Sequence, residues 1–253
     1  MITLRTAKEL ELMKKAGAIS AEAIRVGMEH TRPGVTTASI DDAIRNFIRS
    51  KGAEPNFLNY AGFPKSACIS VNDELIHGIP GNRVIEEGDI VSIDVGADYK
   101  GYQGDNAATF GVGKVSAEAE KIMQVTRECL SRAVAVAVKG NRLGDIGYAV
   151  QSYAESQGCS VVREYVGHGI GRHLHEDPEV PNYGVPGKGI RLLPGMVIAI
   201  EPMINLGTAR VHTLGNDWTV VTNDGALCAH YEFTVAITDS KPVILTPWQE
   251  MVG

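Results

Sequence analysis

Apolar residues recur at helical spacing from the first residues of the chain. Leu12, Ala16, Ile19 and Ala23 share one face of a helix that Thr6 and Glu9 open as a capping box and that is expected to end near Gly34. A second, shorter helix carries Ile40, Ala43, Ile44, Phe47 and Ile48 on one stripe and stops at Gly52, a residue suited to a left-handed cap. The same long-short pair returns later. Ser116 is its N-cap, Ile122, Val125, Cys129 and Ala133 point inward, and Ile146, Ala149, Val150 and Tyr153 lead to a stop at Gly158. Gly34 and Gly140, Ile40 and Ile146, Ala43 and Ala149, Ile44 and Val150, and Gly52 and Gly158 are each 106 residues apart, which suggests an internal duplication.

Strand patterns follow each helix pair. Gly88-Asp89-Ile90-Val91-Ser92-Ile93-Asp94 reads against Gly195-Met196-Val197-Ile198-Ala199-Ile200-Glu201 at an offset of 107, and each run ends in a carboxylate. Two hairpins are expected, Tyr99 to Phe110 around Lys100-Gly101 and Trp218 to Ile237 around Asn223-Asp224-Gly225, carrying Asp105 and Glu232. The pattern predicts an α+β fold of two pseudo-two-fold halves, approximately 6–111 and 112–239, with antiparallel strands meeting centrally and helices outside. No Pro/Gly/Ser-rich linker separates the halves, so 1–253 reads as a single domain.

Composition narrows the class. With 253 residues, 44% hydrophobic and 21% charged, the chain can bury a large core without cross-links. Its net charge of −6 and scattered basic residues give no footprint for a specific nucleic acid or an anionic membrane. No apolar run reaches the roughly 18 residues of a membrane span, and Met1 to Lys15 lacks a signal-peptide core, so a cytoplasmic protein is expected. Cys68, Cys129, Cys159 and Cys228 form no CxxC pair and read as reduced, mostly buried thiols.

Chemistry enters through the acids. A single aspartate at the end of an apolar strand commonly caps a turn or pairs with a lysine. Here equivalent strands of both halves bring Asp94 and Glu201, then Asp105 and Glu232, toward one interface where basic residues are too few to neutralise them. Four converging carboxylates call for multivalent cations. The fifth candidate is His168, in Tyr165-Val166-Gly167-His168-Gly169-Ile170-Gly171, where glycines allow close backbone approach and leave the imidazole room. His77-Gly78-Ile79-Pro80 echoes its His-Gly-Ile core. One nitrogen with four carboxylates favours manganese, iron(II), cobalt or zinc. Two such ions, about 3.5–4 Å apart, lower the pKa of a shared water toward roughly 7, which equips a hydrolase.

These segments resemble the type I methionine aminopeptidases of the pita-bread fold, over nearly the whole chain. The likeness lies in Ile93-Asp94-Val95-Gly96, Gly167-His168-Gly169-Ile170-Gly171, Ile200-Glu201-Pro202 and Tyr231-Glu232, and in the 11-residue spacing of Asp94 and Asp105. The resemblance implies that Asp94 chelates one ion, that His168 and Glu201 hold the other, and that Asp105 and Glu232 bridge both. It implies catalytic roles for His77, His175 and Glu201. His175 would face the scissile carbonyl oxygen, His77 the peptide nitrogen or tetrahedral intermediate, and Glu201 would shuttle the proton. His173 reads as a surface residue. A methionine pocket of Tyr60, Phe63, Cys68 and Trp218 is implied, with removal of the initiator methionine from nascent polypeptide N-termini, met in the cytoplasm and at the ribosome, by a monomer that prefers a small second residue.

Phe57 stands where the family has a small pocket residue, His173-Leu174 for Gly-Phe, His230 for glutamine and Phe233 for histidine, which bears on substrate range and rate. The N-terminal zinc-finger extension and the helical insertion of type II enzymes are absent from the pattern. Two rivals share the fold: an Xaa-Pro aminopeptidase or prolidase, disfavoured because the first repeat begins by Thr6 and leaves no room for the usual N-terminal domain, and a non-catalytic binding module, disfavoured because all five ligands are present.

Overall fold

Helix α1 (Ala7–His30) begins where the capping box predicts, with the Thr6 hydroxyl accepting from the Glu9 N–H and the Glu9 carboxylate accepting from the Thr6 N–H at 2.9 Å. In this computed structural model residues 2–248 are described; Met1 and 249–253, both within the 1–253 domain reading, lie outside the described residues. The helix stops at His30, four residues short of Gly34, because Thr31 is extended and Arg32 precedes Pro33, a position that disfavours helix. Its buried face also differs from the expected stripe. Ala16 and Ala23 are buried as expected, but so are Met13, Gly17, Ser20, Ile24 and Gly27, whereas Leu12 and Ile19 are only half-buried. The cause is close approach: a Cβ on Gly17 would strike the Leu245 carbonyl, and one on Gly104 would strike the backbone of Ala16 and Gly17. Small residues share the packing face with Met13 and Ile24 and set how closely it approaches.

Helices α2 (Thr37–Ser50), α3 (Ala117–Val136) and α4 (Leu143–Ser156) match their patterns more closely, with Ile40, Ile44 and Ile48 buried in α2, Ile122, Val125, Cys129 and Ala133 in α3, and Ile146 and Val150 in α4. Ser116 caps α3 through its side chain, which accepts from the Ala119 N–H. Gly52 and Gly158 both have φ +72°, the left-handed geometry that ends a helix.

All strand pairings are antiparallel. Ile90–Tyr99 and Tyr102–Gly111, ten residues each, form a hairpin around Lys100-Gly101, both at positive φ, and Cys68–Val71 pairs along the other edge of Ile90–Tyr99. Asp94 therefore lies in mid-strand and does not end it. In the second half, Val197–Ile200 lies between Phe233–Ala236 and Gly167–Gly169. The hairpin expected around Asn223-Asp224-Gly225 does not form. Val220–Thr222 pairs with Val211–Thr213 and Glu74–Ile76, while Cys228–His230 pairs with Met203–Asn205. The turn links two sheets, whose buried side chains Leu75, Ile76, Val162, Met203, Val220 and Cys228 pack into one cluster.

Backbone and threonine hydrogen bonds stitch the two sets of strands together at the centre. Glu232 N–H donates to the Ala107 carbonyl (2.9 Å), and the Thr234 hydroxyl donates to the Asp105 carbonyl (2.7 Å) while accepting from the Asp105 N–H (3.2 Å). Among the described residues no helix is long and apolar enough to cross a membrane.

Because only backbone atoms meet a Cβ on Gly104, Gly104→Ala is expected to cost about 1–3 kcal/mol and lower Tm by several degrees. Gly81→Ala, whose Cβ would find only the Ile79 carbonyl at 3.8 Å, should leave Tm nearly unchanged. Equal melting curves for the two variants would contradict the close packing of α1 on the hairpin.

Candidate metal centre

Strand register explains the acidic convergence. Gly96 is opposite Asp105 and Asp94 opposite Ala107, so Asp94 and Asp105 lie two positions apart on one face of the hairpin. Glu201 follows Val197–Ile200 and Glu232 precedes Phe233–Ala236. Since Phe233 pairs with Ile200, the two glutamates occupy the next opposed positions. The hydrogen bonds from Glu232 and Thr234 then dock this pair onto Ala107 and Asp105.

His168 completes the group. Its Nε2 is 3.8 Å from Asp105 Oδ2 and 3.6 Å from Glu201 Oε1, and its Nδ1 hydrogen-bonds the Gly169 carbonyl at 2.8 Å. With Nδ1 as that donor, Nε2 presents its lone pair to the acids. The flanking glycines serve the backbone rather than the ring: a Cβ on Gly167 or Gly169 would strike the carbonyls of Ala199 or Asp177 on the neighbouring strands.

Burial pushes the carboxyls up. Asp105 reaches about 7. Asp94 rises well above the ordinary range through burial and then the charges of Asp105 and Glu201; Glu201 and Glu232 rise likewise through burial and the neighbouring acids. Burial, then His175, lowers His168 to about 3 and His77 to about 4, so both rings are neutral near pH 7. Among the described residues no lysine or arginine pairs with these four acids. Asp94 Oδ1, Asp105 Oδ1 and Glu232 Oε1 are buried without a hydrogen-bond partner. Two groups have ligand atoms within 4.8 Å of one another, Asp105-His168-Glu232 and Glu201-His230-Glu232, and they share Glu232. Orphaned oxygens beside a neutral imidazole fit divalent metal.

The acids and His168 form part of the lining of a cavity whose other walls include Phe57, Tyr60, Phe63, Cys68, His77, Leu174, His175 and Trp218. Every residue singled out from the sequence for the site is thus brought to one place. His175 Nδ1 hydrogen-bonds the Tyr60 hydroxyl at 2.7 Å, and its ring lies 4.2 Å from that of His168. The loop carrying it is held by Glu176, which accepts from the Arg172 and His173 N–H groups (2.9 and 3.0 Å) and pairs with the buried Arg5. His77, at φ +58°, stands edge-on to Trp218, which stands edge-on to Phe63. Asp41 in α2 anchors the segment before Cys68 by accepting from the Ser66 and Ala67 N–H groups. His173 is exposed, and Phe233 is buried against Trp248. His230 was singled out only as a departure from the family, yet its ring adjoins the acids. The signal was its place two residues before Glu232, on the same side of an extended segment.

Residues 11–239 match metallopeptidase family M24. The chain belongs to this family. It is 54% identical to a methionine aminopeptidase of Clostridium acetobutylicum over 97% of this chain and 99% of the relative. The crystal structure of methionine aminopeptidase from Rickettsia prowazekii superposes with a TM-score of 0.96 at 43% identity, covering 97% of this chain and 100% of that one. A prolidase from Pyrococcus furiosus is also similar, with a TM-score of 0.78 at 26% identity, but the match covers 96% of this chain and 65% of the prolidase. The fold is the pita-bread fold these M24 proteins share, and the member described here is a metallopeptidase.

Protons held on the raised carboxyls must leave before a cation binds, so metal affinity is expected to rise with pH through the Asp105 value of about 7. Cobalt(II) should therefore raise Tm more at pH 8 than at pH 6, as calorimetric melts of metal-free and loaded protein would show. An equal gain at both values would contradict the assignment.

Proposed function

We propose that the chain removes the initiator methionine from newly made polypeptides, with preference for a small second residue. The observation that carries this reading is the convergence of Asp94, Asp105, His168, Glu201 and Glu232 in one cavity with an apolar wall, on a chain highly similar to methionine aminopeptidases. Those five side chains would hold two divalent ions drawn from cobalt, manganese, iron(II) and zinc, which would supply Lewis acidity and activate a water.

The chain's own residues do the rest. Glu201, its carboxyl facing the cavity, accepts the proton of the attacking water and delivers it to the leaving nitrogen. His175, steadied by Tyr60, donates a hydrogen bond to the scissile carbonyl oxygen as negative charge develops there. His77, neutral and half-buried, binds the peptide nitrogen or tetrahedral intermediate. Tyr60, Phe63, Cys68 and Trp218 enclose the methionine side chain, with Phe63 and Trp218 in edge contact at 5.1 Å. Burial holds the Cys68 thiol far above its usual range, so it contributes to the wall as a neutral group. Such a slot separates side chains by only about 1–3 kcal/mol per methylene, and norleucine should also enter. Phe57 and Leu174 narrow the same cavity and tune its range.

The enzyme acts in the cytoplasm as a monomer on nascent N-termini, including those at the ribosome, with neither a specific nucleic acid nor a membrane as partner. We read it as one catalytic domain of two duplicated halves, supported by matched backbone angles: Gly34 and Gly140 have φ +91° and +94°, and Gly88 and Gly195 both +92°.

Glu201→Gln is expected to lower kcat for Met-Ala-Ser by about 10²–10⁴-fold while the fold survives, and near-normal turnover would remove Glu201 from the proton path. His175→Ala should cost about 10²–10³-fold in kcat at unchanged metal content; loss of metal would make His175 a ligand instead. Methionine release from Met-Ala-Ser should far exceed cleavage of Xaa-Pro substrates, and exclusive Xaa-Pro cleavage would overturn the reading.

A further inference from the structure

His230 has no part in the reaction above, yet its ring is placed as firmly as any in the centre. Its backbone is clamped to the first hairpin: its N–H donates to the Thr109 hydroxyl at 3.0 Å and its carbonyl accepts from the same hydroxyl at 2.8 Å. The residue is 1% exposed. Its Nε2 lies 3.4 Å from Glu201 Oε2 but is not aligned for a hydrogen bond, and it has no other partner. Glu232 Oε1 is likewise buried and unpartnered. Burying an unpaired ring nitrogen beside unpaired carboxylate oxygens is costly unless one cation serves them all.

The arrangement mirrors that of His168. One oxygen of Glu201 faces His168 Nε2 at 3.6 Å and the other faces His230 Nε2 at 3.4 Å, so the carboxylate lies between two imidazoles. Ligand atoms of Glu201, His230 and Glu232 all fall within 4.8 Å of one another. We propose that His230 is a metal ligand through Nε2, sharing a divalent ion with Glu201 and Glu232. The inference rests on the metal centre proposed above and adds a sixth protein ligand to it. A second nitrogen shifts the donor set toward cobalt, zinc and iron(II) and away from manganese.

Proton NMR of the full chain loaded with cobalt(II) alone tests this. Two strongly shifted, solvent-exchangeable imidazole N–H signals are expected, from His168 and His230. His230→Gln should remove one of them and weaken cobalt(II) binding, measured by calorimetry, at least about tenfold, with a smaller change for manganese(II). A single exchangeable signal in the loaded wild-type protein overturns the proposal, as does a variant that keeps both. If the variant fails to fold, the wild-type spectrum still decides. Cobalt uptake and Met-Ala-Ser cleavage with one signal would sink only the role of His230, whereas a protein that takes up no cobalt would sink the metal centre itself.

Discussion

Four carboxylates that line one cavity, largely removed from water and paired with no lysine or arginine among the described residues, repel when ionised and hold protons when they cannot be neutralised. Burial pushes Asp105 up to about 7, and burial followed by the neighbouring acids holds Asp94, Glu201 and Glu232 well above the usual carboxylate range. The chain has few ways to relieve it. Hydrogen bonds leave one oxygen of each of Asp94, Asp105 and Glu232 unsatisfied, and the adjacent histidines are neutral. A divalent cation relieves the repulsion, satisfies the orphaned oxygens and brings the chemistry.

The fold is arranged to impose this confinement. A hairpin in exact register would scatter its acids on both faces if their spacing were even across a two-residue turn; the 11-residue interval puts Asp94 and Asp105 on the same face. Glu201 and Glu232 face each other across a second strand pair, and the threonine and backbone bonds at Ala107, Asp105 and Thr109 lock the two pairs together. α1 presses on the back of the hairpin through Gly17 and Gly104, leaving little freedom for the acids to separate.

Much of the site was legible in the sequence because acids at strand positions are conspicuous and the two halves repeat their spacing. The helix boundaries were legible where caps declare them, at Thr6, Ser116, Gly52 and Gly158. On α1 the apolar periodicity picks out Ala16 and Ala23, which are buried, but glycine and serine carry no apolar signal, so Gly17, Ser20 and Gly27, where the helix packs closely, do not show in it. The second hairpin is not legible because a turn sequence at Asn223-Asp224-Gly225 fixes a change of direction but not which strands pair, and tertiary packing takes Val220–Thr222 to another sheet. His230 stands out in the sequence only as a departure from the family's glutamine, and its nearness to the acids shows only in its distance to Glu201.

Divalent cations are expected to reside where these acids meet. Anomalous diffraction from crystals of the cobalt-loaded protein measures that directly. Anomalous peaks are expected within bonding distance of oxygens of Asp94, Asp105, Glu201 and Glu232 and of His168 Nε2. Cobalt bound only elsewhere, with the four carboxyls still crowded around an empty centre, would contradict it.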